Sequence, residues 1–110
     1  MMRNGRPYTN ENGWEDKGLI TEHPDDEQKI VMGWIRENIR PRKSKNGRHS
    51  SYGIKHILQD DTGIYLTNNE FKDAMLQAGY EPVDPGALNW IYRISEKSPA
   101  FDWKARRERA

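Results

Sequence analysis

The chain has no cysteine, so disulfides, thiolate zinc sites and a cysteine nucleophile are excluded. It has no long apolar run either, and nothing in it reads as a membrane-spanning helix. The opening "MMRNGRPYTN" lacks the apolar stretch of a secretory signal, and the expectation is a cytoplasmic protein with no membrane partner. Apolar residues are scarce: 34% of the chain is hydrophobic against 32% charged, and the mean hydropathy is −1.11. A core must therefore be small, and the four Trp, five Tyr and two Phe have to supply much of its buried area. A length of 110 residues bounds the answer to one domain with ends.

Acids are missing from one segment in particular. The net charge of +1 hides an asymmetry: residues 1–30 hold four basic and seven acidic residues, residues 31–60 seven and two, and residues 61–110 seven and eight. The middle third is thus +5. Its centre, "RPRKSKNGRH" over residues 40–49, carries Arg40, Arg42, Lys43, Lys45 and Arg48 and no carboxylate. With the Asn46-Gly47 turn signal this reads as a basic loop suited to phosphate contact.

Around that loop the pattern is mostly helical. Residues 1–22, with three Gly, three Asn and one Pro, read as an irregular arm whose Tyr8 and Trp14 are candidate docking aromatics. Pro24, Asp25, Asp26 and Glu27 then mark a helix start. Ile30, Val31, Trp34, Ile35 and Ile39 recur at helical steps, predicting a helix from about 24 to 39 that stops before Pro41. A second helix is expected from Ser50 or Ser51 to Gly63, burying Tyr52, Ile54, Ile57 and Leu58.

"TGIYLTNNEFKDAMLQAGYEP" is the best-punctuated stretch. Its "IYL" reads as a short strand. Thr67 and Glu70 form a capping box, and Phe71, Ala74, Met75 and Ala78 with Leu76 make an apolar stripe, so a helix is predicted over 68–78, ended by Gly79. Beyond it, "YEPV" and "LNWIYRIS" flank the turn "DPGA" and predict a hairpin, with Leu88, Trp90, Tyr92 and Ile94 on one face and Asn89 and Arg93 on the other. Phe101 and Trp103 anchor a basic end containing Lys104, Arg106, Arg107 and Arg109.

The order helix, basic loop, helix, strand, helix, hairpin is that of a winged helix-turn-helix. The expected class is α+β: three helices with a small antiparallel sheet or hairpin. It divides into an arm at 1–22, a winged-helix-like domain at 23–95 and a basic tail at 96–110. The run from Ile64 to Ile94, with Thr-x-x-Glu-Phe, Met-Leu-x-x-Gly-Tyr and an aromatic-rich closing strand, resembles the winged-helix modules at the C-termini of phage- and poxvirus-type primase-helicases. It is also similar to small uncharacterised proteins of phages and mobile elements of Gram-positive bacteria. The resemblance covers roughly residues 50–95 and consists mostly of core, cap and turn positions. It implies a winged-helix fold and a mobile-element setting in a bacterial host cell. No catalytic residue comes with it, and the chain has no phosphate-binding Gly-rich loop, ATPase or primase domain.

In that frame the helix at 68–78 would be the recognition helix, presenting Asn68, Asn69, Lys72 and Gln77 to base edges. Glu70 and Asp73 oppose a close approach to phosphates, which makes the 40–49 loop the main anchor. Arg93 would add a wing contact and Lys55 a flanking one. The functional expectation is nucleic-acid binding, with duplex DNA preferred over a single strand. The alternative is a non-catalytic protein-binding module, such as a phage-encoded inhibitor of a host enzyme or defence nuclease. Whether the chain is monomeric or dimeric stays open. His23, His49 and His56 are scattered, and the pairs Asp25-Asp26 and Asp60-Asp61 diverge on a helix, so no enzyme, catalytic residue, metal site or cofactor is expected.

Overall fold

Pro24 and the three acids behind it begin the first long helix, as negative charge at a helix N-terminus favours. The computed structural model describes residues 2–3, 5–7 and 16–109; Tyr8 and Trp14 lie outside the described residues. This helix, α1 (Asp25–Asn38), buries Val31, Trp34 and Ile35, with Ile39 just beyond it. Ile30, expected in the same stripe, is exposed. It lies about 100° from Val31 around the helix, at the edge of the stripe rather than inside it.

The next helix, α2 (Ser51–Thr62), is capped by Ser50, whose hydroxyl accepts the Gly53 N–H at 3.5 Å. It ends at Gly63, in the left-handed region at φ 76°. Ile54, Ile57 and Leu58 enter the core. Tyr52 was expected among them and instead projects outward, because two residues before Ile54 is about 200° around the helix.

Helix α3 (Asn68–Gln77) forms with its expected punctuation. Thr67 Oγ1 accepts the Glu70 N–H at 3.1 Å, and Glu70 Oε1 accepts the Thr67 N–H at 2.8 Å. Phe71, Ala74 and Met75 are fully buried. At the other end Tyr80 N–H donates to the Met75 carbonyl at 2.9 Å across Gly79, which sits at φ 93°.

The sheet departs from expectation. Ile64–Leu66 is not a strand; Leu66 is buried and Tyr65 exposed, and among the described residues no strand pairs with it. Nor do residues 80–83 and 88–95 make a hairpin. Strand β4 (Ile91–Ile94) pairs antiparallel with the basic segment itself, which is the long strand β3 (Pro41–Ser50). The 80–83 segment contributes only an isolated bridge from Pro82 to Tyr92 and the Val83 N–H bond to the Ile91 carbonyl at 3.0 Å. Proline has no N–H to extend a ladder, so that side of β4 stays short. The alternation of β4 holds as expected: Trp90, Tyr92 and Ile94 are buried and Arg93 faces out.

Two further short strands, β1 (Met2–Arg3) and β2 (Arg6–Pro7), pair with each other. The chain closes with a 3-10 turn at Pro99–Phe101 and helix α4 (Trp103–Arg109). The class is α+β, with one core joining Val31 and Ile35, Ile54 and Leu58, Phe71 and Met75, and Trp90, Tyr92 and Ile94. No helix among the described residues is long and apolar enough to cross a membrane.

Candidate nucleic-acid interface

Strand β3 carries far more chain than its partner. It advances from Pro41 to Asn46 while β4 advances from Ile94 only to Tyr92, and then from Asn46 to Ser50 while β4 moves one residue to Ile91. The surplus bulges away from the ladder. Arg42, Lys43 and Lys45 stand in the first bulge and Arg48 in the second, all exposed, and Arg40 sits exposed just before the strand. None of the five forms an ion pair with a carboxylate among the described residues.

The bulges are pinned at several points. Arg42 Nε donates to the Ser44 carbonyl at 3.0 Å and its Nη2 to the Lys45 carbonyl at 2.6 Å, so this arginine shapes the first bulge. Asn46, the one fully buried residue of the strand, accepts the Arg48 N–H through Oδ1 at 3.0 Å. Its amide donates to Glu96 Oε1 at 2.9 Å. His49 Nε2 lies 2.9 Å from the same oxygen, and its ring stacks on Phe101 with centroids 3.6 Å apart. The Asn46 hydrogen bond, which outweighs burial, together with His49 and Arg48 holds the Glu96 carboxyl below its ordinary range, so the pin stays ionised at neutral pH. At the start of the strand, Arg40 N–H donates to Ser98 Oγ at 2.9 Å, and Ser95 N–H donates to the Arg40 carbonyl at 2.7 Å. The backbone of this strand is held at its start, in the middle and at His49, which sets where along the sheet edge its exposed cations emerge.

Helix α3 has the opposite fate. Asn68, Asn69, Lys72 and Asp73 are all fully buried, so the expected outward array of Asn68, Asn69 and Lys72 does not exist. The arm lies across it. Asn69 Nδ2 donates to the Pro7 carbonyl at 2.8 Å and the Gly18 carbonyl at 2.7 Å. Asp73 takes both Arg6 Nε and Nη2 at 2.6 Å and the Ile20 N–H at 3.0 Å. Asn68 donates to Asn89 Oδ1 at 2.9 Å, and the Lys72 ammonium lies 4.9 Å from the Trp90 ring centre. The arm comes so near that a Cβ on Gly18 would meet Glu70 Cγ at 3.0 Å. This polar face is an internal seam.

Lys55 is also buried, contrary to its expected flanking role. Its ammonium lies 5.3 Å from the Tyr52 ring centre and 5.0 Å from that of Tyr65. Both rings are substantially exposed, at 40% and 56%. Neither stood out as a site residue in the sequence; the angular offset of Tyr52 from Ile54 was the available signal, and Tyr65 had none beyond its place in a misassigned strand. Arg93 is exposed beside Pro41, Tyr80 and Glu81 in a surface depression.

The histidines are absorbed by structure. His23 joins Glu27 and Glu70, His49 joins Glu96 and Phe101, and His56 meets the Tyr52 ring edge-on at 4.7 Å. Among the described residues no three His, Asp or Glu side chains group as metal ligands. No protein-family model, curated protein or solved structure matches this chain.

Proposed function

We propose that this is a non-catalytic nucleic-acid-binding protein whose contact surface is strand β3. One observation carries the proposal: five exposed cations on a pinned, bulged strand with no carboxylate paired to them among the described residues. Ion pairing normally offsets such a cluster, whereas a phosphate backbone supplies the missing negative charges and releases counterions on binding. The proposal keeps the winged-helix-like order of helices and the phage or mobile-element setting that the resemblance implies. It replaces groove reading by α3, which the arm prevents, with contacts from β3 and from Arg93.

The test is the salt dependence of binding. Lys43→Ala, Lys45→Ala and Arg48→Ala together spare Arg42, which shapes the bulge. They should reduce the slope of log affinity against log salt by about two to three, each cation accounting for a little under one unit. An unchanged slope, or no binding at low salt, rejects the proposal. A protein-binding role is favoured by a second observation, a partly apolar groove lined by Met32, Ile35, Ile39, Ala78 and Tyr80 and rimmed by Arg36 and Arg40. Retained host-protein capture by the triple variant, without nucleic acid, would select that role instead.

A further inference from the structure

We infer that Tyr52 and Tyr65 form a stacking platform for unpaired bases, so that the nucleic acid taken up is a single strand rather than a duplex. The inference rests on the proposed role of β3. Its own observation is the placement of two half-exposed aromatic rings on one buried ammonium, at the point where the basic strand runs into α2.

Three features make these rings suited to bases. Lys55 sits over both rings, and His56 braces Tyr52 edge-on, so the rings are held in place before any ligand arrives. From Arg40 to Gln59 the chain itself carries no acid, and α2 has none in its first turn; the Glu96 carboxylate that meets the strand is engaged by Asn46 and His49, so the cations outnumber it along the path from the strand to the rings. The third feature is an exclusion. Bases of a duplex are stacked on one another and leave no face for a side chain, while the polar face of α3, the helix best placed by sequence to enter a groove, is covered by the arm. A cationic track ending in exposed aromatics is the arrangement that binds single strands, each stacked base adding roughly tenfold in affinity.

The experiment compares a fluorescently labelled oligothymidylate, long enough to span β3 and both rings, with a hairpin duplex of equal length, by anisotropy on the full chain. The wild type is expected to prefer the oligothymidylate. Tyr52→Leu with Tyr65→Leu should lower that affinity by about tenfold per ring and leave the duplex affinity unchanged. Tyr52→Phe with Tyr65→Phe keeps the rings and should keep the binding. Full-strength oligothymidylate binding by the leucine variant overturns the inference, as does an equal loss for both ligands. The Lys43, Lys45 and Arg48 alanine variant separates this from the role of β3: loss of both ligands upholds the strand contact even where stacking fails. If that variant binds both ligands as the wild type does, the strand contact itself fails.

Discussion

Helix α3 and strand β3 carry similar polar side chains and end in opposite environments. On α3, Asn68, Asn69, Lys72 and Asp73 are sealed under the arm and the residues before β4; on β3, Arg42, Lys43, Lys45 and Arg48 stand in solvent. The helix bonds Asp73 and the Asn68 and Asn69 amide nitrogens within the protein, to partners distant in sequence, while the Asn68 and Asn69 side-chain oxygens are buried without a hydrogen bond among the described residues. Each cation on the strand either bonds a nearby carbonyl or faces water. Polar character in a sequence therefore says little about availability. What separates the two is whether a distant segment folds over them.

The sharpest expected effect is at Asp73. Asp73→Ala removes the acceptor of Arg6 and the Ile20 N–H from a fully buried site and should cost about 3 kcal/mol in urea unfolding, with faster amide exchange at Ile20. A loss below about 0.5 kcal/mol would mean the seam is not structural. Thr67→Ala breaks the capping box on the same helix and should cost about 1 kcal/mol.

His23 should show a smaller, pH-dependent effect. Burial opposes its charge, but hydrogen bonds and charge from Glu27 on α1 and Glu70 on α3 outweigh it and raise its pKa above the ordinary 6.5. Because the folded state holds the proton more tightly, this stabilisation is complete below the unfolded pKa and is lost as pH rises through the higher folded value. His23→Gln should flatten the stability profile in that window; an unchanged slope there would show that the cluster contributes nothing. The smallest stability change is expected on β3, where each of Lys43→Ala, Lys45→Ala and Arg48→Ala should stay within about 0.5 kcal/mol while weakening binding. If these destabilise the fold and Asp73→Ala weakens binding instead, the contrast between helix and strand is reversed.

Much of the fold could be read from the residues because its signals are local. The acids after Pro24, the Ser50 cap, the Thr67–Glu70 box and the glycines at 63 and 79 each act within one helical turn, and all three central helices form where they are expected. The pairing of β3 with β4 was not legible. Its partners lie 41 to 53 residues apart, and a Pro-, Lys- and Gly-containing run has the composition of a loop. The five cations of the basic segment are exposed, as expected, but on a strand, with Arg40 just before it, rather than in a loop. Of the four residues expected to face outward on α3, Gln77 is exposed but Asn68, Asn69 and Lys72 are buried, because helical periodicity defines the face turned to the core and carries no information on what covers the other. Tyr52 was misplaced despite an available clue, since its offset from Ile54 already pointed outward.

The dependence of β3 on β4, Glu96 and Phe101 also has a consequence for when the surface exists. The cations emerge from the ribosome well before the residues that hold them in line, and non-local strand pairing is a late event in folding. A nascent chain that has reached only Gly79 has all five charges on a tether without fixed spacing. The ordered array arrives with Ile91–Phe101, so completion of that closing segment acts as the gate between a merely charged chain and a surface with a defined shape.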